Sequence, residues 1–487
     1  MASLFIDGAW REGRGEVFAS TDPARGETVW SGAAADALDA EDALRAAHGA
    51  FPAWAATALE ERIALARAYG EGLKARAEDI ARDIARETGK PLWEARAEVA
   101  GMVGKVEVSI RAQAERAGSR AAEAAFGRSV LRHRPHGVMA VLGPFNFPGH
   151  LPNGHIVPAL LAGDTVVFKP SEETPLTGAN LARAWQEAGL PGGVLNLVQG
   201  GRDTGAALIA GKIDGLLFTG SAAAGAHFRR AFVDRPEVIL ALELGGNNPL
   251  IAWDGDPAAA ASVIAQSAFF TAGQRCSCAR RLVLPRGPRG DAILEALLAL
   301  VARLTIGEWD SQEPRFMGSL ISVAAADRVR AAVAALVARG ARVLFAGTLP
   351  AGLSPAFVAP TLLDVTEVDV ADEEIFGPVL QVIRVDDFET AIARANDTAY
   401  GLAAGLITED DALWEIFLDR ARAGVVNRNR PTTGAAATLP FGGLGASGNH
   451  RPSAYYAADY CAYPVASFEA DRLVDQTADI TGLAAPG

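Results

Sequence analysis

Short apolar segments alternate with helical segments between residues 138 and 244, and each apolar segment ends in a loop rich in Gly, Pro or polar residues. Strand, loop and helix at this spacing are typical of parallel βαβ units, in which the loops at the carboxyl ends of the strands carry the binding residues. The sequence therefore predicts a doubly wound α/β sheet with a nucleotide site at that edge. The predicted strands are 138–142, 165–168, 194–198, 216–218 and 238–242.

A second alternating series follows residue 276. Its clearest helix is predicted at 323–339, because Ser322 is a good N-cap and Gly340 a good terminator. A chain of 487 residues is too long for one ordinary core. We therefore expect two successive α/β domains with a boundary near Gly245. The strands predicted in the second series are 281–284, 342–345, 379–385, 402–407 and 425–427.

Charge and composition exclude several kinds of partner. The net charge of −13 argues against nucleic acid and against an anionic membrane surface. No apolar run approaches the ~20 residues of a membrane-spanning helix, and residues 1–12 lack the pattern of a signal peptide. Two of the three cysteines lie one residue apart and would form a strained bridge. We expect a cytoplasmic protein with reduced cysteines, and we predict no metal site.

The segment 272–279, Ala-Gly-Gln-Arg-Cys-Ser-Cys-Ala, favours a reactive thiol at Cys276. Its small residues leave room for a substrate, and a turn leaves backbone N–H groups free for a developing oxyanion. Upstream, Glu243 ends an apolar run and meets a Gly pair, which is a common way to place a general base at a sheet edge. A cofactor-free thiol hydrolase could use the same pair, but the loops at 169–172 and 220–225 would then have no function.

Two glycine-rich segments compete as a dinucleotide site. Gly443-Leu-Gly445-Ala-Ser-Gly448 matches the dinucleotide fingerprint in its spacing. It follows no predicted strand and opens no helix, so we interpret it as a structural loop. The segment 218–225 fits the fingerprint less well, but it follows a strand and opens a helix predicted at 222–233. The N-terminus of that helix can hold a pyrophosphate, although an ordinary strand-to-helix turn looks the same.

Four polar residues are ambiguous when each is taken alone. Asn146 suits a turn, yet its amide could donate to an oxyanion. Lys169 and Glu172 follow a strand and could straddle a ribose or form a surface ion pair. Glu374 could be an ordinary surface carboxylate.

Taken together, six motifs in order resemble the aldehyde dehydrogenase superfamily, and the resemblance extends over nearly the whole chain. It implies a Rossmann-like NAD-binding domain (1–116 and 136–244), an α/β catalytic domain (245–452) and a small β oligomerisation element with the tail (117–135 and 453–487). It also implies a homodimer or homotetramer. The motifs are Phe145-Asn146-Phe147-Pro148, Lys169-Pro170-Ser171-Glu172, Phe218-Thr219-Gly220-Ser221, Glu243-Leu244-Gly245-Gly246, Gly273-Gln274-Arg275-Cys276 and Glu374-Ile375-Phe376-Gly377-Pro378.

The resemblance also implies the chemistry. Cys276 would attack the aldehyde carbon, while the Asn146 amide and the Cys276 backbone N–H hold the oxyanion. Hydride transfer to the nicotinamide leaves a thioester, which water activated by Glu243 hydrolyses. An acid at position 172 would repel a 2′-phosphate and favours NAD over NADP. The implied cofactor-binding residues are Lys169, Glu172, Gly220, Ser221, Gly225, Glu374 and Phe376.

Glu243 favours hydrolysis to a free acid, because relatives that transfer the acyl group to CoA lack this carboxylate.

Passages at 143–155, 273–280 and 441–450 resemble a subfamily of arginine degradation whose semialdehyde substrate carries two carboxylates. Arg428 departs from it, since an aromatic residue is expected there. Such a substrate needs cationic or amide donors, and we expect at least one of four residues to bind a carboxylate. A broad-specificity or succinate-semialdehyde dehydrogenase is the alternative. The four residues are His155, Arg275, Arg280 and Arg428.

Overall fold

A computed structural model describes residues 2–125 and 127–484. The strands are β1 Leu4–Ile6, β2 Ala9–Arg11, β3 Val17–Thr21, β4 Thr28–Ala33, β5 Arg120–Ala124, β6 Gly127–Pro135, β7 Val138–Leu142, β8 Thr165–Lys169, β9 Leu195–Leu197, β10 Gly215–Gly220, β11 Ile239–Leu244, β12 Asn248–Ala252, β13 Ala279–Pro285, β14 Arg342–Ala346, β15 Thr361–Asp364, β16 Val379–Val385, β17 Ala403–Ile407, β18 Val425–Arg428, β19 Pro440–Phe441, β20 Ser453–Ala454 and β21 Ala462–Glu469. The helices are α1 Ala37–Ala56, α2 Leu59–Ala75, α3 Ala77–Thr88, α4 Leu92–Arg116, α5 His150–Ala162, α6 Pro175–Glu187, α7 Arg202–Ala210, α8 Ala222–Ala231, α9 Pro257–Phe269, α10 Pro288–Val301, α11 Val323–Ala338, α12 Phe388–Asn396, α13 Asp411–Arg420 and α14 Ala457–Tyr460.

The first sheet has the strand order β11-β10-β7-β8-β9-β1-β2, and the pairs from β11 to β9 are parallel. Strand β7 is buried on both faces. Its Met139 and Val141 belong to a core shared with α5 and α6, whereas Val138, Ala140 and Leu142 belong to a core shared with α1 and α7. Helices on both faces explain why this strand is apolar throughout rather than alternating.

The order of strands in this sheet reverses at β7. The chain passes from β7 to β8 on one side and returns through β10 on the other side. In open α/β sheets, ligands bind outside the carboxyl ends of the strands at such a reversal. The fold therefore places a ligand-binding crevice between the loops that follow β7 and β10.

The second sheet has the order β14-β15-β16-β13-β12-β17-β18, and β14 is its antiparallel edge. Leu250 and Leu282 pack with α9 and α10, while Ile251 and Val283 face α12 and α13 on the opposite side. The core under α9 and α10 is continuous with the core of the first sheet under α5. The chain passes between the two sheets near Gly245, where the sequence places a domain boundary.

A separate small sheet joins two distant segments. Strands β5 and β6 form a hairpin, and β21 pairs antiparallel with β6 along its whole length. This sheet contains most of the segment 117–135 and the start of the tail, which the resemblance assigns to an oligomerisation element. Two aromatic residues of the tail pack on their own chain: Tyr455 lies against α4, and Tyr460 is buried. Tyr463 and Phe468 are exposed.

Most predicted elements are found, with small corrections. The segment 4–11 forms two strands because Asp7 and Gly8 turn the chain with φ of 52° and 78°. Helix α8 ends at Ala231, two residues before its predicted end. Glu243 lies within β11 rather than after it. In the part of the chain that the structure describes, no helix is both long and apolar enough to cross a membrane.

Candidate active site

The loop that precedes Cys276 has a strained backbone. Thr271 and Ala272 have φ of 55° and 52°, and Gly273 follows with φ of 75°. A left-handed conformation costs a residue other than glycine roughly 1–3 kcal/mol, so the surrounding structure must impose it. Gly273 is required for a second reason, because a Cβ there would lie 2.1 Å from the carbonyl oxygen of Gly377.

Buried side chains hold this loop in place. The Asn248 amide donates to the carbonyls of Cys276 at 2.7 Å and Cys278 at 2.8 Å. The Arg280 guanidinium donates to the carbonyls of Gly273 at 2.6 Å and Arg275 at 3.0 Å. Asn248 was missed in the sequence, although an amide at the start of an apolar strand must find a hydrogen-bond partner. These contacts fix the direction in which Cys276 is presented.

Glu243 is presented beside Cys276 without a strong partner. It pairs in register with Thr219 of β10 and bridges to Gly448 on its other side, so its backbone is fixed. The loop 443–448 thus closes the edge of β11, in agreement with its predicted structural role. The side chain is 3% exposed, and among the described residues neither carboxylate oxygen accepts a hydrogen bond of good geometry. A buried carboxylate of this kind is a typical general base.

Burial sets the protonation of the pair. It raises the pKa of Glu243 to about 8, and the negative charge of Glu374 adds to this effect, while the nearby Cys276 thiol opposes it. Burial and the two carboxylates also raise the pKa of Cys276 well above that of a free thiol. At neutral pH both groups are therefore mainly protonated in the chain without ligands.

Asn146 lies where it could stabilise an oxyanion. It is buried, and its Nδ2 donates to the carbonyl of Gln274 at 2.9 Å, two residues before Cys276. An amide nitrogen has two hydrogens, so a second donor is left for a substrate oxygen. Its own carbonyl accepts from Lys90 at 2.6 Å, and Lys90 pairs with buried Glu98 at 2.7 Å.

The predicted dinucleotide site lies at the crevice where the strand order reverses. The Ser221 side chain caps α8 by accepting from the backbone N–H of Ala224. Gly225 brings this helix close to β11, because a Cβ there would lie 2.4 Å from Leu244. A Gly at this place in a βαβ unit serves the same close packing in dinucleotide folds. A side chain at Gly220 would collide with the ring of Phe218. The position therefore favours glycine, which has no side chain to cover the backbone before α8.

Two further residues of the predicted cofactor site lie at the end of β8. Lys169 is buried at the end of β8 and donates to the carbonyls of Pro170 and Gly200, and its amine lies 3.6 Å from the exposed carboxylate of Glu172. The sequence-based assignment of Lys169 and Glu172 to the adenosine ribose stays a prediction.

Glu374 and Phe376 belong to the segment that faces the end of β11. A Cβ at Gly245 would lie 1.9 Å from a Glu374 oxygen, so the glycine admits this carboxylate. The Arg280 guanidinium donates to Glu374 at 3.1 Å and lies over the Phe376 ring. Burial raises the pKa of Glu374, and Arg280 acts against this shift. The predicted role of Glu374 and Phe376 in binding the cofactor stays a prediction.

A cavity of about 190 Å³ opens above Cys276. Of the four residues predicted to bind a substrate carboxylate, the structure places His155 and Arg275 in its wall. Arg280 and Arg428 do not line it: Arg280 is buried among backbone carbonyls, and Arg428 pairs with Asp411 at 2.6 Å. Other residues of the wall include Lys105, Phe147, His150 and Phe441.

His155 is not the cation that the sequence suggested. Its ring nitrogens lie 2.8 Å from the Tyr460 hydroxyl and 3.2 Å from the Thr219 hydroxyl. Burial lowers the pKa of His155 to about 3, so the ring is neutral and already hydrogen-bonded. Arg275 lies beside the cavity but pairs with buried Glu94 at 3.3 Å.

Comparison with known proteins identifies the family. The chain matches the aldehyde dehydrogenase family over residues 10–464. The chain belongs to this family. It is 62% identical over 484 residues to N-succinylglutamate 5-semialdehyde dehydrogenase 2 of Caulobacter vibrioides, which covers 99% of each chain. It is 55% identical over 475 residues to N-succinylglutamate 5-semialdehyde dehydrogenase of Chromobacterium violaceum, covering 97% and 98%.

The fold agrees with that of solved family members. The Mycobacterium tuberculosis aldehyde dehydrogenase complexed with NAD+ superposes with a TM-score of 0.90 at 33% identity, over 97% of this chain and 99% of that one. The predicted superfamily, the α/β fold class and the enzyme class are thereby confirmed. The chain is an aldehyde dehydrogenase.

Proposed function

We propose that this aldehyde dehydrogenase oxidises N-succinyl-L-glutamate 5-semialdehyde to N-succinyl-L-glutamate in arginine degradation. The observation that carries the proposal is the cavity above Cys276, because its wall holds the nucleophile together with the cationic side chains of Lys105 and Arg275. The two relatives at 62% and 55% identity, which bear the name of this activity, support it. The cofactor is NAD, which the crevice between β7 and β10 fits and with which a structural neighbour is complexed.

The residues act in two stages. In the first, Cys276 loses its proton to solvent and attacks the aldehyde carbon, while the Asn146 amide and the Cys276 backbone N–H donate to the oxyanion. Bound NAD+ supplies the hydride acceptor for this stage. In the second, Glu243 in its ionised form takes a proton from a water that attacks the Cys276 thioester, the bond to sulfur breaks, and the free acid leaves.

A panel of aldehydes tests this function. N-succinylglutamate semialdehyde, succinate semialdehyde and a neutral aldehyde of similar length are each oxidised with NAD+, and absorbance at 340 nm is followed. We expect kcat/KM for the first to exceed that for succinate semialdehyde by about 10- to 100-fold, because one additional pairing with a carboxylate contributes ~1.5–3 kcal/mol. The excess over the neutral aldehyde should be larger, because that aldehyde has no carboxylate. Equal values would favour the broad-specificity alternative. Ester cleavage without any absorbance change on adding aldehyde and NAD+ would favour a thiol hydrolase.

Glu172 is proposed to set the choice of cofactor. In the Glu172→Gln variant, we expect the ratio of kcat/KM for NADP+ to that for NAD+ to rise about three- to tenfold, since a repulsion of ~1 kcal/mol disappears. The neighbouring Glu173→Gln variant is the control and should leave the ratio unchanged. The same ratio in the parent and in both variants would show that Glu172 does not discriminate between NAD+ and NADP+.

The assembly and the compartment are also proposals. We propose a homodimer or homotetramer formed through the β5-β6-β21 sheet, because β5 is exposed along an unpaired edge. A mass of 50.7 kDa from light scattering, which is the mass of one chain, would contradict this assembly.

A cytoplasmic location fits the three free cysteines. The domain bounds at 116, 136, 244 and 452 remain those predicted from the sequence.

A further inference from the structure

Lys105 is a buried cation without a counter-ion. It lies on α4, and the residue is 2% exposed. Other buried lysines of this chain are compensated: Lys90 pairs with Glu98 at 2.7 Å, and Lys169 donates to the carbonyl of Gly200 at 2.7 Å. Lys105 forms no hydrogen bond or ion pair with any residue that the structure describes. Lysine is almost never fully buried unless it is paired, so this side chain needs an explanation.

The amine of Lys105 borders the substrate cavity. Lys105 and Cys276 line the same cavity. The amine lies opposite Gly154 of α5, 4.0 Å from the position that a Cβ would take there. The absence of a side chain at Gly154 leaves the space beside the amine open to a ligand.

Two histidines of the cavity wall are neutral. Burial and the charge of Lys105 lower the pKa values of His150 and His155 to about 4 and about 3. Burial lowers the pKa of Lys105 itself to about 8, so the amine is still mainly protonated at neutral pH. The protein thus presents a positive charge to a cavity whose histidines carry none.

A ligand carboxylate would supply the missing partner. Charge-assisted hydrogen bonds to carboxylates are strong where water is excluded. Arg275 lines the same cavity, but Glu94 already compensates its charge. We propose that Lys105 binds a carboxylate of the substrate and selects anionic aldehydes over neutral ones. This inference rests on the proposed function, because it assigns a binding residue for the same reaction.

The Lys105→Met variant tests the inference, because it keeps the shape of the side chain and removes the charge. We expect KM for N-succinylglutamate semialdehyde to rise about 30- to 100-fold with kcat changed less than about threefold. Turnover of hexanal should be unchanged or improved, and Lys105→Arg should recover part of the lost affinity. The control is Arg111→Met, which removes an exposed cation from the same helix and should leave both aldehydes unaffected.

Two outcomes overturn the inference. One is an unchanged KM for the anionic aldehyde in Lys105→Met, and the other is an equal loss for anionic and neutral aldehydes, which indicates a structural role. Thermal unfolding checks the fold, and Lys105→Gln replaces Lys105→Met if the latter does not fold. Adipate semialdehyde and hexanal, matched in length, separate this result from the proposed function. If the parent ignores N-succinylglutamate semialdehyde yet prefers adipate semialdehyde through Lys105, the inference holds and the proposed substrate is wrong.

Discussion

The Cys276→Ser variant is expected to retain less than about one-thousandth of the parent's kcat for aldehyde oxidation, a loss of at least ~4 kcal/mol in transition-state stabilisation. A serine hydroxyl is a much weaker acid than a thiol, and the site is already unfavourable for an anion. Burial and the carboxylates of Glu243 and Glu374 raise the pKa of Cys276. They would disfavour an alkoxide even more. Stopped-flow absorbance at 340 nm, with NAD+ and the semialdehyde at saturation, measures the loss.

The Cys278→Ser variant is the matched control. Cys278 is two residues away and buried, and its Sγ lies 3.8 Å from the carbonyl of Phe270. We expect this variant to keep kcat within about tenfold of the parent, because a small buried hydroxyl can replace the weak thiol contact. Comparable turnover by Cys276→Ser and the parent would exclude a covalent Cys276 thioester. A loss of activity in Cys278→Ser alone would show that Cys278, and not Cys276, is the nucleophile.

The sequence predicted those features that depend on local patterns. Ser322 caps α11, as its position before an apolar face indicates, and β10 ends at Gly220, within the glycine-rich segment. Glu243 lies near the carboxyl end of β11, at the sheet edge where the βαβ pattern predicts functional residues. By contrast, only the family resemblance predicts that the loop carrying Cys276 approaches this edge.

Partners distant in the sequence account for what could not be predicted. Arg280 looked free to bind a substrate, but its acceptors include Glu374, which lies 94 residues away. His155 was a candidate cation in the sequence, but one of its ring nitrogens is hydrogen-bonded to the hydroxyl of Tyr460, which is 305 residues away. The sequence does not distinguish Lys105 from a surface residue, because an Ala-rich helix with charged residues is usually solvent-exposed. The surroundings of each of these residues are set by tertiary packing, and no local motif records that packing.

The Glu243→Gln variant is expected to lower kcat by about 10²- to 10⁴-fold while leaving a rapid first turnover. Gln keeps the size of the side chain but cannot take a proton from water, so the Cys276 thioester should accumulate. A burst of NADH equal to the enzyme concentration, followed by slow steady-state release, is the expected signature. The control is Glu237→Gln, which removes an exposed carboxylate shortly before the same strand and should behave like the parent.

The pH dependence of kcat provides an independent check on Glu243. Burial raises its pKa to about 8, so only about a tenth of the base form is present at pH 7. The parent's kcat should therefore rise as the pH increases towards 8 and level off above it, at saturating aldehyde so that binding does not contribute. Glu243→Gln should lose this rise, because no carboxylate is left to titrate. An identical profile in both proteins, or a variant without the burst, would place the hydrolytic base elsewhere in the site.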